Sequence, residues 1–101
     1  MSIFRKKAKI FKALADPVRL NILELLRDGE KCVCEITPQI GLPQPIVSKH
    51  LKLLKNCGIL KDRHVGNKRL YSVTDQAIFN VIDAIDENLL NSLMKHVIEA
   101  I

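Results

Sequence analysis

Residues 3 to 15 repeat apolar side chains at helical spacing, with Phe4, Ala8, Phe11 and Ala15 beside Ile3, Ile10 and Leu14 and with lysines on the opposite side. The pattern predicts a first amphipathic helix. Asp16-Pro17 marks a restart, because Asp caps a helix N-terminus and Pro is preformed for the first helical position. The second helix places Val18, Ile22, Leu25 and Leu26 inward and stops near Gly29. A short helix is predicted over residues 33 to 40, after which Gly41-Leu42-Pro43 breaks the chain. A further helix runs from about residue 44 to 56, with Val47, Leu51 and Leu54 inward and Gly58 ending it. Two short helices around a tight glycine turn make a helix-turn-helix.

Residues 59 to 65 and 68 to 73 read as strands joined by Gly66-Asn67, a dipeptide suited to the positive φ angles of a tight hairpin. From residue 75 to the end the spacing predicts one long helix. Between residues 77 and 101, 15 of 25 positions are apolar, more than one buried stripe uses. Ile78, Ile82, Ile85 and Leu89 are expected to pack on the domain, which leaves Phe79, Leu90, Leu93, Val97 and Ile101 for a second surface. A second copy of the chain is the economical cover.

Length adds that 101 residues make one domain over 1 to 101, mainly helical with a two-stranded wing, of class α+β. No run is long and apolar enough to span a membrane, and no secretory leader is visible, so the expected location is the cytoplasm with the three Cys reduced. Charge sharpens the picture because it is localised. Residues 1 to 12 hold Arg5, Lys6, Lys7, Lys9 and Lys12 with no acid, and residues 43 to 71 hold seven bases against Asp62 alone, while the rest of the chain is net acidic. The second cluster falls on the helix-turn-helix and its hairpin.

On the helix from 44 to 56, the face opposite Val47, Leu51 and Leu54 presents Gln44, Ser48, Lys49, Lys52 and Lys55. Gln and Ser hydrogen-bond base edges or phosphates, Lys neutralises phosphate, and free N–H groups at the helix N-terminus suit an anion. The hairpin adds Arg63, Lys68 and Arg69, placed to reach backbone or minor groove beside the helix. This combination points to double-stranded DNA as the partner. Catalysis has no support: there is no phosphate loop, nucleophile elbow or paired His and carboxylate motif. The competing class is a winged-helix module whose basic face meets an acidic protein.

The runs Leu14-Ala15-Asp16-Pro17-Val18-Arg19-Leu20, Cys32-Val33-Cys34-Glu35-Ile36, Val47-Ser48-Lys49-His50-Leu51-Lys52 with Leu54, Gly58-Ile59-Leu60, and Gly66 with Arg69 and Tyr71 together resemble the ArsR/SmtB family of winged-helix repressors, over about residues 8 to 75. The resemblance implies a homodimer held by its first and last helices, about residues 3 to 15 and 75 to 101, that represses promoters at an operator until an inducer releases it. It also implies that the helix from 44 to 56 is the recognition helix, with His50 either a DNA contact or a hydrogen-bonded support for that helix.

Cys32 and Cys34 match the family's Cys-Val-Cys thiolate motif, which implies a thiophilic metal or arsenite as inducer. Residues two apart on a helix point to nearly opposite sides, so both sulfurs are expected to meet only if the first turn unwinds. The third thiol of the arsenic pattern is replaced by Thr37, residues 1 to 31 hold no Cys, and the zinc pattern on the last helix falls on Asp75, Ala77, Asn88 and Asn91. The alternatives are therefore a metal-responsive pair and a structural or redox pair, with Cys57 either a small buried residue or a missing ligand.

Overall fold

The computed structural model describes residues 2–97. The order is α1 (Ile3–Leu14), α2 (Pro17–Leu25), β1 (Lys31–Cys32), α3 (Val33–Ile40), α4 (Gln44–Asn56), β2 (Leu60–Val65), β3 (Lys68–Val73), α5 (Ile78–Asp83) and α6 (Glu87–Met94). The predicted restart is present: Asp16 caps α2, its carboxylate accepting from the N–H groups of Val18 and Arg19 at 2.8 and 3.2 Å. Gly41 ends α3 in the left-handed region at φ 77°, where a side chain would be strained, and so sets the tight turn into α4.

Ile22, Leu23, Leu26, Ile36, Val47, Leu51 and Leu54 are fully buried, so α2, α3 and α4 close around one aliphatic centre. Leu60, Tyr71 and Val73 of the hairpin and Phe79 of α5 join the same cluster. The wing strands pair antiparallel with Leu60 opposite Val73 and Val65 opposite Lys68. The sheet has a third member that periodicity does not reveal. β1 pairs with β3 through Lys31 opposite Tyr71 and Cys32 opposite Leu70, giving the strand order β1-β3-β2. Two residues are too short a run to carry an alternation.

The long final helix is not formed as one piece. α5 stops at Asp83, and Asp86, in extended conformation, caps α6 by accepting from the Leu89 N–H at 2.8 Å. The expected distribution of side chains changes with it. Phe79 is buried under the guanidinium of Arg27, 4.4 Å from the ring centroid, whereas Ile85 and Leu89 stay exposed. Leu90, Leu93 and Val97 are exposed as expected, and Ile101 lies outside the described residues. Arg27 also donates to both oxygens of Asp83 at 2.8 Å and to Glu24 at 2.6 and 3.1 Å, which fastens α5 to α2. No helix among the described residues is long and apolar enough to cross a membrane.

Candidate nucleic-acid interface

α4 turns Val47, Leu51 and Leu54 into the core, so heptad-like spacing forces Gln44, Lys49, Lys52, Lys55 and Asn56 outward, with Ser48 half-buried beside them. Between this face and the hairpin lies a groove of about 820 Å3. Gln44, Ser48, Lys52 and Lys55 line one wall, Lys68, Arg69 and Tyr71 the other, and Cys32, Cys34 and Thr37 close the end. Seven of the nine residues expected to meet DNA are therefore accounted for by one helix face and its facing strand: six line this groove and Lys49 sits on the outer side of α4.

The other two are placed differently. His50 is half-buried, and its Nδ1 lies 3.2 Å from Nη1 of Arg19. Arg19 in turn donates from Nε to the carbonyl of Ala13 at 2.6 Å and from Nη2 to that of Lys12 at 3.3 Å. His50 thus belongs to a brace that joins the end of α1 to α4. Arg63 is out of phase with Asp62 and His64 on β2, so it faces away from the groove and pairs with Glu30, its Nε 3.0 Å from the carboxylate. That guanidinium holds the Glu30 carboxyl below its usual range.

Two of the groove's cations are paired from β2: Asp62 receives Lys55 Nζ at 3.1 Å and Arg69 Nε at 3.5 Å, and Arg69 Nη2 lies 2.9 Å from His64 Nε2. The cations are held in place by an acid of the interface itself. Residues that side-chain chemistry alone does not select also stand here: Pro45 and Ile46 are exposed on the first turn of α4. An apolar contact from such positions suits a thymine methyl group. The expected anion site at the α4 N-terminus is reduced, because Pro45 has no N–H and those of Ile46 and Val47 both donate to the Pro43 carbonyl, at 3.0 and 3.2 Å.

The two cysteines meet without any unwinding of α3. Cys32 is the N-cap and is extended at φ −70°, ψ 148°, so it stands outside the helical phase that would separate it from Cys34. The thiols are not reduced as expected: a disulfide joins them across a Cα–Cα distance of 5.0 Å. Cys32 also accepts from the Cys34 N–H at 3.0 Å, and Glu35 accepts from the Cys32 N–H at 3.0 Å, a capping box built on sulfur. Cys57 ends α4 on the other side, its thiol donating to the Leu54 carbonyl at 3.2 Å. Among the described residues no three His, Cys, Asp or Glu side chains converge as metal ligands, and the hydroxyl of Thr37 is buried without a hydrogen-bond partner.

A helix-turn-helix followed by a β-hairpin wing is also the architecture of known DNA-binding regulators. The profile of bacterial regulatory proteins of the arsR family matches residues 16–62. An uncharacterized HTH-type transcriptional regulator of Methanocaldococcus jannaschii is 43% identical over 88 residues, covering 86% of this chain and 99% of that one. The chain belongs to the arsR family. The arsenical resistance operon repressor of Staphylococcus xylosus is 35% identical over 86 residues, 85% of this chain and 79% of that one. Several longer relatives are spanned over only 55 to 60% of their length. Among solved structures, a homodimeric winged helix-turn-helix DNA-binding domain from Mycobacterium bovis superposes with a TM-score of 0.76 at 25% identity, covering 98% of this chain and 91% of that one. In this arsR-family regulator the matched residues thus run from α2 through α4 into the first half of β2, and include the α3 and α4 side of the groove but not its β3 wall. The family is one of transcriptional regulators, not enzymes.

Proposed function

We propose that this arsR-family regulator is a cytoplasmic homodimeric repressor that reads duplex operator DNA with α4 while the wing holds the phosphate backbone beside it. The observation that carries the reading is the shared groove, in which the polar face of α4 and Lys68 and Arg69 of the hairpin open to one side. Gln44, Ser48, Pro45 and Ile46 supply base contacts, and three or four of Lys49, Lys52, Lys55, Lys68 and Arg69 supply phosphate contacts. His50 supports the recognition helix through Arg19, and Arg63 anchors the wing to Glu30.

Dimerisation is supported by uncovered apolar side chains. Phe4 is 78% exposed, and Ile85, Leu93 and Val97 are each more than half exposed. Ile10 of α1 and Ile78 and Val81 of α5 line one cleft, so α1 stands beside the helix that leads into the uncovered end. Two recognition helices related by a twofold axis call for an inverted-repeat operator with half-sites about one helical turn, or a multiple of it, apart.

The test is duplex binding across a salt series. With three or four phosphate contacts per subunit, log K is expected to fall against log salt with a slope of roughly −5 to −7 for the dimer. Lys68→Ala with Arg69→Ala is expected to weaken binding to all sequences and flatten the slope, whereas Gln44→Ala blurs discrimination between sites. An unchanged slope in the wing variant removes the wing from the interface.

A second reading, release of DNA through the thiols, is favoured by one placement: Cys34 is exposed at the end of the groove, so anything bound to it stands in the space DNA needs. The residues present do not complete a soft-metal site, since Cys32 and Cys34 supply only two sulfurs, Thr37 holds the sequence position of a third, and Cys57 lies on the far side of α4. Reduced protein on DNA, titrated with arsenite and with cadmium, decides it. Release that is absent from the Cys32→Ser plus Cys34→Ser variant supports the reading, and equal behaviour of the two proteins removes it.

A further inference from the structure

The lysines of α1 have no part in the interface described above, and their placement gives them one. On the side of α4 away from the wing lies a second groove, of about 490 Å3, lined by Lys9 and Lys12 of α1, Arg19 of α2, and Lys49, Lys52 and Asn56 of α4. Among the described residues, Lys9, Lys12, Lys49 and Lys52 make no ion pair. Four uncompensated ammonium groups around one concavity repel one another, and an anion seated there removes that cost.

The groove is held open by a rigid frame. Arg19, with its side chain only 12% exposed, donates to the carbonyls of Lys12 and Ala13 and meets His50, so the last turn of α1 keeps a fixed distance from α4. Its guanidinium is committed to that frame and to Asp16, which leaves the lysines as the groups free to take a ligand.

Lys52 and Asn56 line both this groove and the one beside the wing, so the outward edge of α4 is a ridge between two cationic troughs. A helix with its side chains is about 10–12 Å across and the major groove of B-DNA is about 12 Å wide. A recognition helix seated in it therefore has a phosphate strand along each flank. The wing trough meets one strand, and something on the α1 side must meet the other.

We propose that the groove between α1 and α4 is a second phosphate track, in which Lys9 and Lys12, together with Lys49, take the backbone of the DNA strand opposite the one held by the wing. The inference rests on the reading of α4 as the recognition helix. It makes α1 bifunctional: its apolar face, with Phe4 and Phe11, serves the dimer, and its basic C-terminal half serves DNA. Lys9 and Lys12 of the basic cluster at the start of the sequence then belong to the interface, while Lys6 and Lys7 stay a solvated face.

The experiment compares three full-length proteins on one 30-base-pair duplex of random sequence from low to high potassium chloride: wild type, Lys9→Ala with Lys12→Ala, and Lys6→Ala with Lys7→Ala. The two variants lose the same charge, and Lys6 and Lys7 are exposed on α1 but do not line the groove. The salt slope of the Lys9/Lys12 variant is expected to flatten by about 3 to 4 for the dimer, near one unit for each lost contact, with affinity down roughly tenfold or more at low salt. The Lys6/Lys7 variant is expected to keep a slope within about one unit of wild type. Circular dichroism and sedimentation on all three confirm that fold and dimer are kept. Equal slopes in the two variants, or an unchanged slope in the Lys9/Lys12 protein on a wild type that binds, overturn the second track and leave the wing reading standing. A wild type that ignores duplex DNA at low salt overturns both. Protection of Lys9 and Lys12 by inorganic phosphate alone, with the DNA slope unchanged, assigns the groove to a small anion and overturns the proposal as well.

Discussion

The middle of the chain and its C-terminal end are built from nearly the same apolar side chains, yet they use them in opposite ways. From α2 to β3 each apolar stripe finds a partner within the chain: Ile22, Leu23, Leu26, Ile36, Val47, Leu51 and Leu54 are sealed. Past α5, Ile85, Leu89, Leu90, Leu93, Met94 and Val97 find none, and among the described residues of this end only Ile78, Phe79 and Ile82 pack against the centre. A closed core makes the central unit stable by itself, whereas an open stripe makes the end stable only in company. Stability and assembly are thus separable in this molecule, and the separation is open to test.

The largest effect is expected at the centre. Leu51→Ala empties a fully buried site between α2, α3 and α4 and is expected to cost about 2 to 5 kcal/mol, a large share of what a domain of this size holds. Urea denaturation of the variant measures it. Leu93→Glu, at a side chain 53% exposed, is expected to leave the midpoint of a monomeric unfolding transition nearly unchanged and to abolish self-association at micromolar concentration by sedimentation. If Leu93→Glu unfolds the chain as thoroughly as Leu51→Ala does, the end is part of the core and the contrast fails.

How far the sequence shows these regions follows the same division. Over α1 to α4 the helical period, Asp16-Pro17 and Gly41 act on near neighbours, so local signals suffice and the bounds of α3 and α4 are the predicted ones. In the last segment the apolar surplus keeps the helical period running through residues 84 to 86, and it hides Asp86, a capping residue that looks like any surface acid. The site divides likewise. The outward face of α4 is legible from Val47, Leu51 and Leu54. The partners of His50 and Arg63 are not, because Arg19 and Glu30 stand 31 and 33 positions away and nothing local encodes their meeting. The disulfide escapes the helical argument because Cys32 sits one residue before the helix begins.

Arg27 joins the two regions, and its effect is expected to be smaller and dependent on pH. It donates to Asp83 and Glu24 and holds both carboxyls below their usual range. The unfolded chain regains the higher values, so it takes up protons that the folded chain does not. The contribution is therefore complete above the unfolded values, about pH 4, and is lost as pH falls through the lowered folded values. Arg27→Gln is expected to lower the melting temperature at pH 6 by a few degrees and to make its decline between pH 5 and pH 3 shallower than in the wild type. Parallel pH profiles for the two proteins would show that α5 is fastened by Phe79 alone.

The smallest effect is expected where the central unit, like the C-terminal end, keeps groups in reserve for a partner. Lys55 and Arg69 are not idle in the free protein, because Asp62, with 14% of its side chain exposed, receives both. In the proposed complex phosphate takes the same cations, so each contact begins with the loosening of an internal pair. Surface pairs of this kind are worth about 0.2 to 1 kcal/mol. Asp62→Asn keeps the size of the side chain and removes its charge, which also deletes the one acid in a stretch that otherwise repels nothing but other cations. Affinity for random duplex at low salt is expected to rise about two- to fivefold, with a steeper salt slope, since more of the positive charge reaches the phosphates. Discrimination between sites is expected to fall, because the added attraction is the same for every sequence. A loss of affinity for all duplexes would show the opposite role: Asp62 would then hold Arg69 and Lys55 in the geometry that DNA needs, and the wing would be a preassembled partner surface.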